Sequence, residues 1–241
     1  MTDTLIPAGR NPAGPTRRLL LLSGAAVLLA GCAGNIIGPP PAPQLYVMQP
    51  DFGAVADAPA ANWQLVVALP DAPDSLDTAR IALINAPNTM DYYANAQWTD
   101  RLPSLLQSLT VQAFQSSGKM KAVGRDTEGL SPDYVLGLDI RDFEAYYAAP
   151  DTPPRIDVKI VANLMNPLSH VVVATLRSDH SAQASANNMA SITQAFTEAT
   201  GAAVKEIVNW TLHAPPPKGL GQSADATPPQ PPVQRPPRHR R

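Results

Sequence analysis

Three stretches of the chain, DYVLGLDIRDFEAYY at 133–147, RIDVKIVANLM at 155–165 and HVVVATLRSDHSA at 170–182, alternate apolar and polar residues with a period of two. In the first, Leu136, Leu138 and Ile140 share one face and Asp139 and Arg141 the other; in the second, Ile156, Val158, Ile160, Ala162 and Leu164 point one way and Asp157 and Lys159 the other. Asn166-Pro167-Leu168-Ser169 is a turn signal between the second and third. Three such strands in succession predict an antiparallel meander buried on one face, and that face requires a cover.

Two amphipathic helices can supply it. Leu102, Leu105, Leu106, Leu109 and Ala113 recur at helical spacing, with Thr99 or Asp100 as a cap, Pro103 in the first turn and Gly118 at the end, so a helix is predicted over 99–117. A second begins near Asn187 or Asn188, carries Ile192, Ala195, Phe196, Ala199, Ala203, Ile207 and Trp210, and stops before Pro215. Further strands are predicted at 44–49, 63–69, 81–84, 90–94 and 119–124; the run WQLVVAL at 63–69 is nearly all apolar and reads as a central strand. The expected fold is α/β of the α+β type: a single domain with a mixed, largely antiparallel sheet and both helices packed on one side.

Outside this body the composition changes. The chain has 241 residues, 27 prolines, one cysteine and a formal charge of −2. Residues 1–31 carry Arg10, Arg17 and Arg18 against Asp3, a net of +2, and residues 214–241 carry Lys218, Arg235, Arg238, Arg240 and Arg241 against Asp225, a net of +4. The span between them therefore holds −8, which makes it a poor partner for nucleic acid, since a phosphate backbone needs a basic face on the folded part. The lone cysteine excludes an intramolecular disulfide framework and a Cys-rich zinc site.

Residues 19–30, LLLLSGAAVLLA, follow Arg17-Arg18 without a charge. Twelve residues at helical rise cover ~18 Å, short of the ~30 Å hydrocarbon thickness, so this is the apolar core of a signal peptide over 1–31. Export through the general or the twin-arginine route fits the n-region. Leu29, Ala30 and Gly31 lead directly into Cys32 and form a bacterial lipobox, whose thiol carries the lipid. Cys32 is thus expected to bear a diacylglycerol and an N-acyl chain of palmitate type, at ~0.8 kcal/mol per buried methylene. Ala33 and Gly34 supply no acidic retention signal, which points to the outer membrane, facing the periplasm. Residues 32–43 form a proline-rich tether, 44–213 the folded domain and 214–241 a disordered basic tail.

Reaction chemistry is scarce. No glycine-rich phosphate loop, nucleophile elbow or HExxH helix occurs. His170 and His180 fall in one predicted strand about 33 Å apart at strand rise, which dismisses them as a metal pair. Ser23 and Ser178 are expected to have no nearby base that would make them nucleophiles, and the sequon at Asn209-Trp210-Thr211 lies inside a predicted helix. Asp139, Asp142 and Glu144 are the densest acidic cluster; a general acid among them would need a desolvated carboxyl, and a solvated or ion-paired strand face is the simpler reading. An anchored hydrolase rests on that cluster alone. Tyr92, Tyr93, Trp98, Tyr146 and Tyr147 sit at element ends as candidates for partner contact, against the alternative of packing at the core's rim.

The order of features resembles the ABC-type transport auxiliary lipoprotein family. Its carriers here are the lipobox, LYVMQP, an apolar strand, Arg80-Ile81-Ala82, Tyr92-Tyr93 leading to Trp98 and a Leu-rich helix, then Asp133-Tyr134-Val135-Leu136, Phe143 and a final Ala-rich helix ending in Trp210. The resemblance covers 44–213; the segment Ser181-Ala182-Gln183-Ala184-Ser185-Ala186 and the basic tail depart from the family pattern. It implies an accessory of an envelope lipid transport system with an ABC permease and ATPase and a mammalian-cell-entry-domain protein as partners. That role works by docking, with no metal, no cofactor and no catalysis; self-association is left open. The alternative is an outer-membrane assembly lipoprotein of the lipopolysaccharide-insertion type, without an ABC partner.

Overall fold

The computed structural model describes residues 42–53 and 57–217. The leader, the lipobox Leu29-Ala30-Gly31-Cys32, nearly all of the tether and the tail beyond Pro217 lie outside the described residues. Among the described residues the body from Pro43 onward is an α+β domain with an open, mixed sheet of eight strands. These are β1 (Gln44–Tyr46), β2 (Ala61–Val67), β3 (Arg80–Asn85), β4 (Thr89–Trp98), β5 (Met120–Arg125), β6 (Tyr134–Tyr147), β7 (Arg155–Met165) and β8 (Val172–Gln183). Helix α1 (Leu102–Ser117) lies between β4 and β5, and α2 (Met189–Leu212) follows β8.

The long strand β6 organises the sheet. Along one edge it pairs antiparallel with β7, which pairs antiparallel with β8, giving the meander. Its other edge is shared: Tyr134 to Leu136 pair parallel with β2, and Ala145 to Tyr147 pair parallel with β3. Asp71 bridges the gap between those two, donating its N–H to the Leu138 carbonyl and accepting from the Ile140 N–H. Strand β2 also pairs with β5, and β3 leads through β4 to β1. The apolar run of β2 is therefore interior, with Trp63, Leu65, Val66 and Val67 all buried.

Both helices cover one face. Ile156, Val158, Ile160, Ala162 and Leu164 are buried on that face, where α2 packs against β7 and β8 and also touches α1. The centre of the core is aromatic: Trp98, Phe143 and Phe196 lie with ring centroids 5.2–6.3 Å apart, Phe196 stacked on Phe143 and edge-on to Trp98. Gly201 lets the segment after β1 lie on α2, since a Cβ there would stand 2.9 Å from Pro50. This close approach accompanies the burial of Met48.

Several boundaries differ from the sequence expectation. Strand β1 is three residues long, while β4 runs on to Trp98, eight residues past where its strand signal starts. Neither Thr99 nor Asp100 caps α1; the residue before it is Arg101, which makes no side-chain cap, and Pro103 with left-handed Gly118 carries the end signals alone. Asn188 does cap α2, accepting from the Ser191 N–H at 3.0 Å. His170 is not in a strand: it takes a left-handed conformation, φ 55°, in the β7–β8 turn.

Candidate docking surface

Consecutive residues of a strand point to opposite faces, and this divides the five aromatic residues. Trp98 is 2% exposed within the aromatic core and Tyr147 is buried, so neither offers area to a partner. Tyr93 faces the helix side with Tyr147: its hydroxyl donates to the Tyr147 oxygen at 2.9 Å, and Tyr147 donates to Asn187 Oδ1 at 2.8 Å. Burial first, and then the Tyr147 hydroxyl, pushes the Tyr93 phenol well above its ordinary value. The pair with its amide acceptor ties β4 and β6 to the entry of α2, which is the core-rim role weighed above.

Tyr92 and Tyr146 remain, half-exposed, on the opposite face of the sheet. The Arg80 guanidinium lies 3.6 Å from the Tyr92 ring centroid, and the Tyr92 hydroxyl donates to the Ser75 carbonyl at 2.9 Å. Arg155 lies over Tyr146 at 5.3 Å. A concavity of about 500 Å³ opens beside Tyr92, bounded by Arg80, Asp91, Tyr93, Asn95 and Gln97. Stacked cations on aromatic rings make a rim suited to a polar macromolecular contact.

The acidic cluster lies on this outer face, where ion pairs occupy most of it. Arg141 pairs with Asp139, Lys159 Nζ lies 2.6 Å from Asp142, and Arg155 binds Asp157 through two contacts of 2.8 Å. A one-residue bulge sets the arrangement: Ile140 is opposite Ile160 but Asp142 is opposite Lys159, so Arg141 is the extra residue. The bulge reverses the parity, putting Phe143 into the core and Asp142 outward. Strict alternation from Leu136 would have done the opposite.

Glu144 differs from its neighbours. It is 8% exposed, accepts from the Phe143 N–H at 2.5 Å, and has its carboxyl pushed up to about 7. Burial is the main cause and the adjacent Asp142 and Asp157 add to it, against the Phe143 N–H and Lys159, which favour the ionised form. A shallow concavity of about 410 Å³ on the same face is lined by Arg141, Lys159, Val161, Thr175, Arg177 and Asp179. Glu144 does not line it, so this raised carboxyl is not presented to that concavity.

Sequence reasoning missed the partner of Ser178. This serine is 2% exposed and donates to Glu206 Oε2 on α2 at 2.6 Å; His180 Nε2 meets the same oxygen at 2.8 Å. The carboxylate stands between the hydroxyl and the imidazole, whereas an activated serine needs the imidazole between hydroxyl and acid. The trio therefore clamps β8 to α2. Only its i, i+2 spacing in β8 was visible in the sequence, because Glu206 lies 26 and 28 residues further on. Among the described residues no group of three or more His, Cys, Asp or Glu side chains is placed to hold a metal ion.

A family model described as the ABC-type transport auxiliary lipoprotein component matches residues 46–208. The crystal structure of a Xanthomonas campestris protein, from a domain family of unknown function, is 30% identical and superposes with a TM-score of 0.66, covering 70% of this chain and 94% of that one. A second crystal structure, of an uncharacterised protein, has a TM-score of 0.55 at 12% identity over 70% of this chain and 99% of the other, a likeness of fold alone. An uncharacterised protein of Bradyrhizobium diazoefficiens is 25% identical over 188 residues, 78% of this chain and 50% of that protein. The chain thus spans about half the length of this curated relative.

Proposed function

The chain belongs to the ABC-type transport auxiliary lipoprotein family, and from that premise we propose that it is a lipid-anchored accessory of an envelope lipid transport system. It acts beside an ABC permease and ATPase and a mammalian-cell-entry-domain carrier, by docking and without catalysis. The observation that carries the reading is the extent of the match, which runs from the end of β1 into the last turns of α2. The ion-paired outer face and the carboxylate-centred Ser178 cluster agree with it, since each uses its polar groups on one another. The contact surface we assign is the Arg80–Tyr92 rim with Tyr146.

Cys32, after Leu29, Ala30 and Gly31, is the proposed attachment point, bearing a diacylglycerol and an N-acyl chain, and the outer membrane is the proposed location. The test is affinity capture from detergent-solubilised envelope. Recovery of the permease, ATPase and carrier supports the reading, and loss of that recovery in an Arg80→Ala/Tyr92→Ala chain supports the surface. A wild-type capture without transporter subunits overturns the role. A Cys32→Ala chain that still sediments with membranes overturns the anchor.

A further inference from the structure

We infer that the β7–β8 hairpin tip is a membrane-contact element that seats in an anionic lipid surface, assisted by the basic C-terminal segment. Leu168 is 91% exposed, and Val171, Val172 and Val173 are 56%, 47% and 41% exposed. These four lie together at the tip and its exit, an apolar patch with no cover among the described residues.

Three further features select lipid as the occupant. First, the seventeen residues from Ile160 to Leu176 include no Asp, Glu, Lys or Arg, with His170 the one titratable side chain. Second, the turn binds up its own backbone. Asn166 Oδ1 accepts from the Leu168 and Ser169 N–H groups at 3.0 Å each and from the Ser169 hydroxyl at 3.2 Å. The Asn166 N–H donates to the Val171 carbonyl at 2.9 Å, and the His170 N–H to the Asn166 carbonyl at 3.0 Å. A protein partner could satisfy free backbone groups itself; hydrocarbon cannot, so an internally bonded tip suits entry into lipid.

Third, the charge that borders the apolar zone on β8 without an ion-pair partner among the described residues is positive, while Lys159 on β7 is paired with Asp142 and Asp139 on β6 with Arg141. Moving away from the tip, the first ionic residue on β7 is Lys159 and on β8 is Arg177, about 17 Å along the strand from Val172. Arg177 is exposed and makes no ion pair among the described residues. The tail leaves from the same end of the sheet: the Tyr134 hydroxyl donates to the Pro215 carbonyl at 3.1 Å, and Val135 beside it is opposite Met165, the last residue before the tip. Lys218, Arg235, Arg238, Arg240 and Arg241 then follow with a single carboxylate, Asp225. The nearest carboxylate at that end of β6, Asp133, accepts from the Gln64 N–H at 2.8 Å. An apolar tip with a basic segment is a two-part contact, each part weak alone and selective for anionic lipid together.

The inference rests on the anchored reading above for its membrane, and the test separates the two. The lipidated chain is prepared as Leu168→Cys and, in the β6–β7 turn at the opposite end of the sheet, as Thr152→Cys. Each is labelled with an environment-sensitive thiol fluorophore and reconstituted into phosphatidylglycerol-containing or pure phosphatidylcholine vesicles with brominated acyl chains as quencher. The expected result is quenching at 168 about threefold stronger than at 152 with phosphatidylglycerol. That excess should fall with phosphatidylcholine, and at about 0.5 M salt, where screening shortens to ~4 Å. Equal quenching at both positions, or none at 168, overturns the proposal and leaves the tip to a protein partner; an excess at 168 indifferent to lipid charge overturns the part given to the basic segment. The wild-type chain, labelled in parallel, reports on Cys32. Uptake there overturns the anchor, and with its signal subtracted the comparison of 168 with 152 still decides the tip.

Discussion

Replacing Glu144 with glutamine should stabilise the protein at neutral pH and leave it unchanged in mild acid. The carboxyl moves from an ordinary 4.5 to about 7 on folding, chiefly because burial disfavours its charge. At 1.36 kcal/mol per pH unit, ionising it in the native state costs about 3 kcal/mol more than in the unfolded chain. Below pH 4.5 both states hold the proton and no penalty exists. Between 4.5 and 7 the unfolded chain ionises first and the native state loses stability as pH rises; above 7 the whole penalty stands. Glutamine keeps an oxygen to accept the Phe143 N–H and carries no charge, so it removes the penalty without opening a cavity. Urea unfolding followed by tryptophan fluorescence, with Trp98 in the core as reporter, should give Glu144→Gln a gain of about 2–3 kcal/mol at pH 8 and within ~0.5 kcal/mol of none at pH 4.5. A variant no more stable than wild type at pH 8, or one whose gain is the same at both pH values, would refute the assignment of a desolvated carboxyl.

Phe196→Ala should cost about 3–5 kcal/mol, because its ring is fully buried between Trp98 and Phe143; thermal unfolding with a loss below ~1 kcal/mol would contradict a packed aromatic centre. Gly201→Ala sets a helix-propensity gain of about 1 kcal/mol against overpacking of 1–3 kcal/mol at Pro50. The net should be destabilising, and a denaturation midpoint that rises would show that the segment after β1 does not press on α2. Glu206→Ala leaves the buried Ser178 hydroxyl without its acceptor and should cost about 1–3 kcal/mol. Adding Ser178→Ala should recover part of that loss, and a double variant as unstable as the sum of the single ones would argue against the pairing.

Local signals were legible where one segment carries its own period or its own cap. Arg155 to Met165 begins and ends where its alternation does, and Asn188 caps α2 as its side chain allows. Signals that depend on a neighbour were not. The bulge at Arg141 exists because β7 opposes two residues of β6 with one, and an uninterrupted alternation hides it. Strand β4 continues to Trp98 because Asn95, at φ 55°, redirects the chain so that Ala96 and Trp98 enter the core. The division of Tyr92 from Tyr93 and of Tyr146 from Tyr147 follows from the strand period, yet it needs the strand limits before it can be applied. Glu206 was silent as the partner of Ser178, since a single half-buried carboxylate on a helix has no local mark.

The shared edge of β6 also fixes a schedule. Strand β2, with its apolar Trp63, Leu65 and Val67, finds its two neighbours only in β5 and β6, so its last residue waits 69 residues for Leu136 to be made. At ~5–20 residues per second this water-averse ribbon lacks its β6 neighbour for roughly 3–14 s of synthesis. Strand β3 gains β4 sooner but lacks its inner neighbour until Tyr147. A nascent chain stalled before residue 134 should therefore be sticky and protease-sensitive throughout, and one that has completed α2 at residue 212 should not. The stickiness of that interval has its reason in strand order and not in overall hydrophobicity.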